Sequence, residues 1–251
     1  MTRFPIHYNA VLLCILLTMQ SIYSSVRAET LTLTTLEWPP FTGEQLAGKG
    51  IITQIIRRSL NSQGHELTSQ ILPWNRAVRM VITGKSTGYY PEYKLESDNY
   101  IFSDPIGESP IGIVERKSNP IKWQQVSDLN PYTMGVISGY VNTDEIDLMI
   151  KDGRQKFDVA NHEKQSILKL AAKRVDLIII DLNVYQYLKN DPDIAKVIDL
   201  LQVNDKVIAN KSLHIAFENS PEGDKWNNIV NQGLKQLQVQ QIIDAYLDQA
   251  K

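Results

Sequence analysis

In the first part of the chain, segments with the hydrophobic spacing of β-strands alternate with segments that have the spacing of amphipathic helices. Residues 31–36 alternate apolar and hydroxyl side chains, which predicts a β-strand, and residues 65–72 predict a second strand. Between them, residues 51–60 place apolar side chains on one face of a helix, and a second amphipathic helix ends at Gly84. A further strand carrying aromatic and acidic side chains follows. This order of strand, helix, strand, helix and strand implies a parallel sheet.

The second part of the chain shows a similar series after a polar segment at residues 115–122. The run VDLIIID predicts a strand that is buried on both faces and ends at Asp181. We expect Asn142 and Glu145 to form a capping box for one helix and Asn161 to cap the next. The other predicted elements are strands at 132–137, 157–160, 206–209 and 212–217 and helices at 182–188, 193–200, 220–237 and 238–248.

Two α/β series in one chain predict two lobes. The segments at residues 110–114 and 213–217 are the expected hinge between them. We therefore expect an α/β fold of two Rossmann-like α/β lobes joined by two hinge strands. Lobe one is predicted to comprise residues 29–112 and 213–251, and lobe two residues 113–212.

The amino terminus has the pattern of a secretory signal peptide. Arg3 precedes an apolar run of about ten residues, which is short against the roughly 20 that a membrane span requires, and Ala28 offers a small residue for cleavage. We expect cleavage after about Ala28 and export to the periplasm; the alternative is an uncleaved membrane anchor. Cys14 lies in this segment and is the single cysteine, so the remaining chain has no thiol chemistry.

Charge and motifs exclude several functional classes. The net charge of −2 gives no general attraction to nucleic acid or to an anionic membrane. His65, His162 and His214 lack the spacing of a metal site, and the sequence has no nucleophile elbow, phosphate loop or zinc-protease motif. We expect a protein that is not an enzyme and that has no cofactor.

Aromatic side chains follow the first strand and the Gly84 turn. Trp38 and Phe41 flank two prolines that take the chain out of the sheet, and Tyr89 and Tyr90 follow the second helix. At strand ends such side chains either close the hydrophobic core or line a ligand cleft. Both interpretations stay open at the level of sequence.

Several motifs together resemble one known family. EWPPF after the first strand, PW.RA in the helix ending at Gly84, FSDPI, MGVISG and RVDLIIID resemble, in this order, the family 3 solute-binding proteins of bacterial uptake transporters. The resemblance covers nearly all of residues 30–240. It implies the type II periplasmic-binding-protein fold and a polar amino-acid ligand held between the lobes.

The resemblance also implies site residues. Asp181 matches the aspartate that holds the ligand ammonium, although it could equally cap the helix that follows it. Gly139 and Tyr140 match the turn whose backbone N–H groups receive a carboxylate, or they form a plain turn. The aromatic and apolar cleft walls of the family match Trp38, Phe41, Trp74, Tyr89 and Tyr90.

The departures from the family pattern concern the ligand carboxylate. The arginine that clamps this group in the family is replaced by Glu96, and no arginine occurs between Arg79 and Arg116. A carboxylate ligand would need Arg76 to reach the cleft. We therefore expect Glu92, Glu96 and Asp181, beside the aromatic side chains, to favour a cationic or amine-bearing ligand.

The resemblance implies a function with two alternatives. We expect a monomeric periplasmic protein that captures a small polar or amine-bearing solute for an ABC-type uptake system, with an inner-membrane permease as possible partner. One alternative is a sensing module that acts on a separate signalling partner. The other is an enzyme of the same fold, similar to cyclohexadienyl dehydratase, with Glu92 or Glu96 as general acid.

Overall fold

The computed structural model describes residues 28–249 of the chain, so the predicted signal peptide, apart from Ala28, lies outside the described residues. The strands are β1 (Thr30–Thr35), β2 (Glu66–Ile71), β3 (Gly88–Tyr93), β4 (Tyr100–Phe102), β5 (Gly107–Arg116), β6 (Met134–Ile137), β7 (Phe157–Ala160), β8 (Leu177–Asp181) and β9 (Leu201–Glu218). The α-helices are α1 (Ile51–Ser62), α2 (Trp74–Ile82), α3 (Asp144–Lys151), α4 (Glu163–Ala171), α5 (Leu182–Leu188), α6 (Pro221–Leu234) and α7 (Val239–Gln249). No helix within residues 28–249 is long and apolar enough to cross a membrane.

The strands of the described region form one continuous sheet in the order β2-β1-β3-β9-β5-β8-β6-β7, with β4 also paired to β9. At one end β2 and β3 pair in parallel with β1, and at the other end β7 and β8 pair in parallel with β6. The parallel pairing predicted for the strand-helix series is therefore confirmed. Two long antiparallel strands, β5 and β9, connect these halves.

The strands β5 and β9 are the two joining segments of a two-lobed molecule. The carboxyl-terminal part of β9 pairs with β3 and β4 of lobe one, while β5 pairs with β8 of lobe two. The fold class of two α/β lobes joined by two strands is confirmed. The predicted boundaries after residues 112 and 212 fall within these strands and stay a prediction.

The prediction of separate strands at 206–209 and 212–217 is wrong, because β9 is one strand of 18 residues. The polar residues Asn210 and Lys211 interrupt the hydrophobic pattern, yet they pair with Pro110 and Ser109 of β5. Backbone hydrogen bonds continue a strand wherever a partner strand is present, whatever the polarity of the side chains that face solvent.

Two of the predicted helix caps are displaced by one residue. Thr143, not Asn142, caps α3 by accepting from the Ile146 N–H, while the Asn142 side-chain amide donates to Asp147 at 2.7 Å. His162, not Asn161, caps α4 through its ring nitrogen. Several polar residues in a row each offer a cap, and the tertiary path of the chain selects among them.

The helix predicted at residues 193–200 is also wrong, since this segment forms turns and a short 3₁₀ helix, Ile198–Leu200. The Asp191 carboxylate accepts from the N–H groups of Asp193 and Ile194. Local side-chain acceptors of this kind compete with helical hydrogen bonds.

Each lobe has its own hydrophobic core. In lobe one α1 packs on the sheet and on α6, and Gly233 allows this close approach, because a Cβ there would lie 2.1 Å from the Ser59 carbonyl oxygen. In lobe two the apolar side chains of β8 pack on α4 and α5 on one face and with Trp123 and β6 on the other. The two cores hold the strand ends of the lobes facing each other.

Candidate functional site

Three neighbouring cavities lie between the lobes and share Tyr140 in their walls. The Glu92 cavity, of about 60 Å³, is lined by Trp38, Trp74, Glu92 and Tyr93. The Asp181 cavity, of about 30 Å³, is lined by Trp38, Tyr93, Glu163 and Asp181. The large cavity, of about 600 Å³, is lined by Glu37, Glu44, Trp74, Asn75 and Glu163. Both lobes contribute to each wall, so the three cavities form one interlobe cleft.

A tight corner after β1 positions Trp38 in this cleft. The Trp38 N–H donates to the Thr42 carbonyl at 2.9 Å and the Thr42 N–H donates back at 3.1 Å. The Thr42 hydroxyl donates to the Leu36 carbonyl at 2.8 Å, which closes the loop. The indole is therefore fixed at the strand end, where it packs on the core and also lines two cavities.

Aromatic rings from both lobes line the cleft. Tyr140 of lobe two approaches Trp38 and Trp74 of lobe one edge-on, with centroid distances of 6.3 and 6.5 Å. Tyr89 lies behind Trp74, with its centroid 5.3 Å away, and belongs to a small hydrophobic cluster with Val81. Edge-on pairs are favourable beyond the area they bury, so these contacts hold the lobes together.

The two carboxylate oxygens of Asp181 differ in their hydrogen bonds. Its Oδ1 accepts from the N–H groups of Asn183 and Val184 at 2.7 and 2.9 Å and so caps α5. Its Oδ2 has no hydrogen bond of ordinary geometry. Burial raises the pKa of this carboxyl from 3.8 to about 7, which the two backbone donors and the neighbouring Ser109 hydroxyl only partly oppose. Asp181 therefore both caps α5 and presents a free acceptor to the Asp181 cavity.

Glu163 is a site residue that the sequence prediction missed. It is the first residue of α4, it is only 8% exposed, and its Oε1 has no hydrogen-bond partner. Burial raises its pKa, while the adjacent Tyr140 hydroxyl and Trp38 indole act in the opposite direction. Its position directly after β7, at the same sheet edge as Asp181, is the signal that could have identified it.

Glu92 is the third carboxyl at the centre of the cleft. Its Oε1 accepts from the Tyr93 N–H at 2.7 Å. Burial raises its pKa from 4.5 to about 7, against the effects of this bond, of the Tyr89 hydroxyl and of the Lys211 charge. The pairing of β3 with β9 shifts register between Tyr89 and Glu92. After this shift, Glu92 and Tyr93 both line the cleft.

The cleft is acidic. Among the described residues, the three cavities are lined by five carboxylic acids and by no lysine or arginine. The five acids are Glu37, Glu44, Glu92, Glu163 and Asp181. Glu37 and Glu44 are exposed, and Glu44 pairs with Lys49 at 3.1 Å, whereas Glu92, Glu163 and Asp181 are largely buried. Carboxylates buried without a counter-ion are unfavourable, so these three acids favour a cationic occupant.

Five of the predicted site residues, including Tyr89 behind Trp74, lie away from the cavity walls. Phe41 and Tyr90 are buried in the core of lobe one, where the Tyr90 hydroxyl bonds to Thr53 and Ser69. Arg76 and Glu96 are exposed and line none of the three cavities. Arg76 therefore does not supply the carboxylate clamp that the sequence lacks.

The turn at Gly139 offers little to an anion. The Tyr140 N–H already donates to the Ile137 carbonyl at 3.2 Å. The next helix begins only at Asp144, and its first turn carries Asp144, Glu145 and Asp147. Gly139 has a φ of +80°, and a Cβ there would lie 2.5 Å from Asn75 Oδ1 of lobe one. The turn thus serves close contact between the lobes.

The described residues contain no group of three histidine, cysteine, aspartate or glutamate side chains arranged to hold a metal ion. Glu163 and Asp181 line one cavity, Glu92 lines the adjoining one, and aromatic side chains line both. This arrangement suits an organic cation, which interacts with carboxylates and with ring faces.

No protein-family model and no curated protein sequence matches this chain. A histidine kinase sensor domain with similarity to periplasmic binding proteins has a TM-score of 0.75 at 15% identity, covering 88% of this chain and 96% of that one. An amino acid ABC transporter substrate-binding protein from Streptococcus pneumoniae, bound to L-arginine, has a TM-score of 0.68 at 18% identity, covering 88% and 94%. The GluR0 ligand-binding core from Nostoc punctiforme, in complex with L-glutamate, has a TM-score of 0.68 at 16% identity, covering 87% and 98%.

At these identities the likeness concerns the fold. It extends over nearly the whole length of each matched chain. It also agrees with the sheet order, in which two parallel α/β halves are joined by β5 and β9. The chain has the two-lobed α/β fold of type II periplasmic binding proteins.

Proposed function

We propose that this chain is an exported solute-binding protein that captures a small amine-bearing solute between its lobes for an ABC-type uptake system. The observation that carries the proposal is the composition of the cleft, with five acids and no lysine or arginine among its described lining residues. The proposal also includes the domain boundaries and the ligand role of Asp181 expected from the sequence.

The chemistry of the walls supports an ammonium rather than a carboxylate. An ammonium group donates charge-assisted hydrogen bonds to Asp181 and Glu163, and the faces of Trp38 and Tyr140 attract a cation by their quadrupole. A ligand carboxylate in the same cleft meets only like charge. This distinguishes the proposed ligand from an ordinary α-amino acid.

Binding is proposed to stabilise the contact between the lobes. Tyr140 of lobe two touches the two tryptophans of lobe one, and β5 and β9 are the strands about which the lobes would rotate. Domain closure around a ligand is a known response of two-lobed folds. The closed form would then be recognised by an inner-membrane permease, with the protein acting as a periplasmic monomer and without catalysis.

A sensing role is the second candidate, because a histidine kinase sensor domain has the TM-score of 0.75 given above. Both roles use the same ligand-driven closure, and they differ in the partner that recognises the closed form. Cross-linking the liganded protein in its native membrane and identifying the partner separates them, since one role requires a permease and the other a signalling protein.

The ligand class is tested by thermal unfolding and calorimetry of the purified protein with butylamine, L-arginine, L-glutamate and acetate. A ligand at 100 times its dissociation constant raises the free energy of unfolding by about 2.7 kcal/mol. We expect butylamine to stabilise the protein, and acetate and L-glutamate to have no effect. Asp181→Asn should abolish the amine effect, whereas Asp199→Asn, at an exposed site, should leave it intact. Stabilisation by the anions alone would refute the proposal.

A further inference from the structure

We propose that the cleft binds a solute with two ammonium groups, one held between Asp181 and Glu163 and the other at Glu92. This inference rests on the proposed function, because it specifies the ligand of the same cleft. It assigns a specific role to Glu92, which the amine-binding proposal alone does not require.

The first ammonium position is defined by two unsatisfied oxygens. Asp181 and Glu163 are 4% and 8% exposed, and Asp181 Oδ2 and Glu163 Oε1 have no hydrogen bond of ordinary geometry. The polar neighbours of these carboxyls are Ser109 for Asp181, and Tyr140 and Trp38 for Glu163. Both residues line the Asp181 cavity. An ammonium group has three donors and one positive charge, so one such group between the two carboxyls provides partners for both oxygens.

The second ammonium position lies beyond the aromatic side chains that separate the cavities. The Glu92 cavity and the Asp181 cavity share Trp38, Tyr93, Tyr140 and Val141 as lining residues. Glu92 and Asp181 therefore line adjoining cavities that have these aromatic side chains in common. Lys211 lies with its Nζ 4.7 Å from the centre of the Tyr93 ring, and its charge acts on Glu92, but it lines neither cavity.

The sizes of the two cavities are compatible with one ammonium group in each. Their volumes are about 60 and 30 Å³, and a cavity needs roughly 10–15 Å³ of such volume to hold one water molecule. Each therefore has room for a group of ammonium size. The methylene chain between the two ammonium groups would lie along the rings of Trp38 and Tyr140.

The charges favour two cations over one. A monoamine bound between Asp181 and Glu163 leaves Glu92 in a largely buried site with only the partial compensation of Lys211. An uncompensated buried carboxylate is costly, and a second ammonium on the same ligand removes this cost. The diamine should accordingly bind more tightly than the monoamine of equal length.

Calorimetric titration of the purified protein at pH 8 tests this inference with matched pairs. The pairs are 1,4-diaminobutane with butylamine and 1,5-diaminopentane with pentylamine. We expect at least one diamine to bind ten times or more tightly than its monoamine. Glu92→Gln should reduce diamine affinity to the level of the monoamine and leave monoamine affinity within twofold. Glu66→Gln, at an exposed position on β2, is the control and should change neither.

The outcomes separate the two proposals. Equal affinities for the diamine and the monoamine would overturn the two-ammonium inference and leave the amine-binding function standing. A Glu92→Gln variant that folds normally, as judged by its thermal unfolding, and retains the full diamine advantage would also overturn it. Failure of every amine to bind would overturn both proposals.

Discussion

The indole of Trp38 in lobe one lies edge-on to the phenol ring of Tyr140 in lobe two, with centroids 6.3 Å apart and planes at 81°. Trp38 is fixed by the corner after β1, whereas Tyr140 follows the Gly139 turn after β6. The two rings therefore connect strand ends from different lobes. They also line both the Glu92 and the Asp181 cavity, so contact between the lobes and the proposed ligand binding depend on the same side chains.

Removing the Tyr140 ring should weaken ligand binding more than folding. Tyr140→Ala eliminates the edge-on contacts to Trp38 and Trp74 and part of the wall of each of the three cleft cavities. We expect amine affinity to fall by about tenfold, or about 1.4 kcal/mol, as measured by calorimetry. Tyr187→Ala, at an exposed position on α5, is the matched control. Unchanged affinity in Tyr140→Ala would contradict the assignment of this ring to the site.

The free energy of unfolding without ligand should fall as the pH rises from about 4 to 7. Asp181 and Glu92 have ordinary pKa values of 3.8 and 4.5, and burial raises both to about 7 in the folded state. Over this interval the folded protein binds more protons than the unfolded chain, so stability decreases with increasing pH. Denaturant titrations at a series of pH values measure this slope.

The variant Asp181→Asn identifies the contribution of one group to that slope. Because the amide does not ionise, the decrease in stability between pH 4 and 7 should become smaller in the variant. An ammonium ligand prefers the ionised carboxylate, so amine affinity of the original protein should increase as the pH rises through 7. A slope that is identical in the two proteins would show that Asp181 ionises normally.

A side chain at position 139 should hinder the approach of the lobes. Gly139→Ala combines a φ of +80° with a Cβ placed 2.5 Å from Asn75 Oδ1, and the left-handed conformation alone costs roughly 1–2 kcal/mol. We expect at least a tenfold loss of amine affinity, and Asn75→Ala in the same protein should restore part of it.

Gly153→Ala is the matched control for backbone strain. Gly153 has a φ of +72°, and no atom lies within 4 Å of the point that an alanine Cβ would occupy, so only the backbone cost applies. Its thermal midpoint should fall while its amine affinity stays unchanged. Equal affinity losses in both glycine variants would indicate that strain, and not contact with Asn75, is responsible.

We expect Tyr90 to contribute to the stability of the folded protein and not to amine binding. Its hydroxyl lies 2.9 Å from the Thr53 hydroxyl and donates to Ser69 at 2.8 Å, inside the core of lobe one. Tyr90→Phe should lower the free energy of unfolding by about 1–2 kcal/mol, because these partners lose a buried hydrogen bond. Amine affinity should remain within twofold; a large loss of affinity at normal stability would restore Tyr90 to the cleft.

Local hydrophobic spacing was sufficient for the elements that pack independently of their surroundings. The apolar face of α1 and the apolar run of β8 are both found where the sequence predicts them. The period of 3.6 in α1 follows from helix geometry, and the continuous apolar run of β8 is typical of a strand that is buried on both faces. The prediction failed where a partner element decides the outcome, as in β9, whose polar centre is held in a strand by β5.

The cleft residues show the same contrast between local pattern and tertiary pairing. The sequence places Tyr89 and Tyr90 together, but adjacent residues of a strand point to opposite faces, and here they enter two separate hydrophobic clusters. A register shift between Tyr89 and Glu92 then directs Glu92 and Tyr93 to the cleft. Pro91 lies at this shift and cannot donate a ladder hydrogen bond, but the new register is set by pairing with β9.

The sequence by itself determined the two α/β series, the aromatic corner at Trp38, the acid at the end of β8 and the absence of a carboxylate-clamping arginine. Only the tertiary structure decided that Glu163 joins Asp181, that Phe41 and Tyr90 belong to the core, and that Glu96 stays outside the cavities. The physical reason is the separation along the chain of the residues that determine each property. Periodicity and side-chain chemistry are properties of neighbouring residues, whereas burial and unsatisfied hydrogen bonds depend on which distant strand ends are brought together.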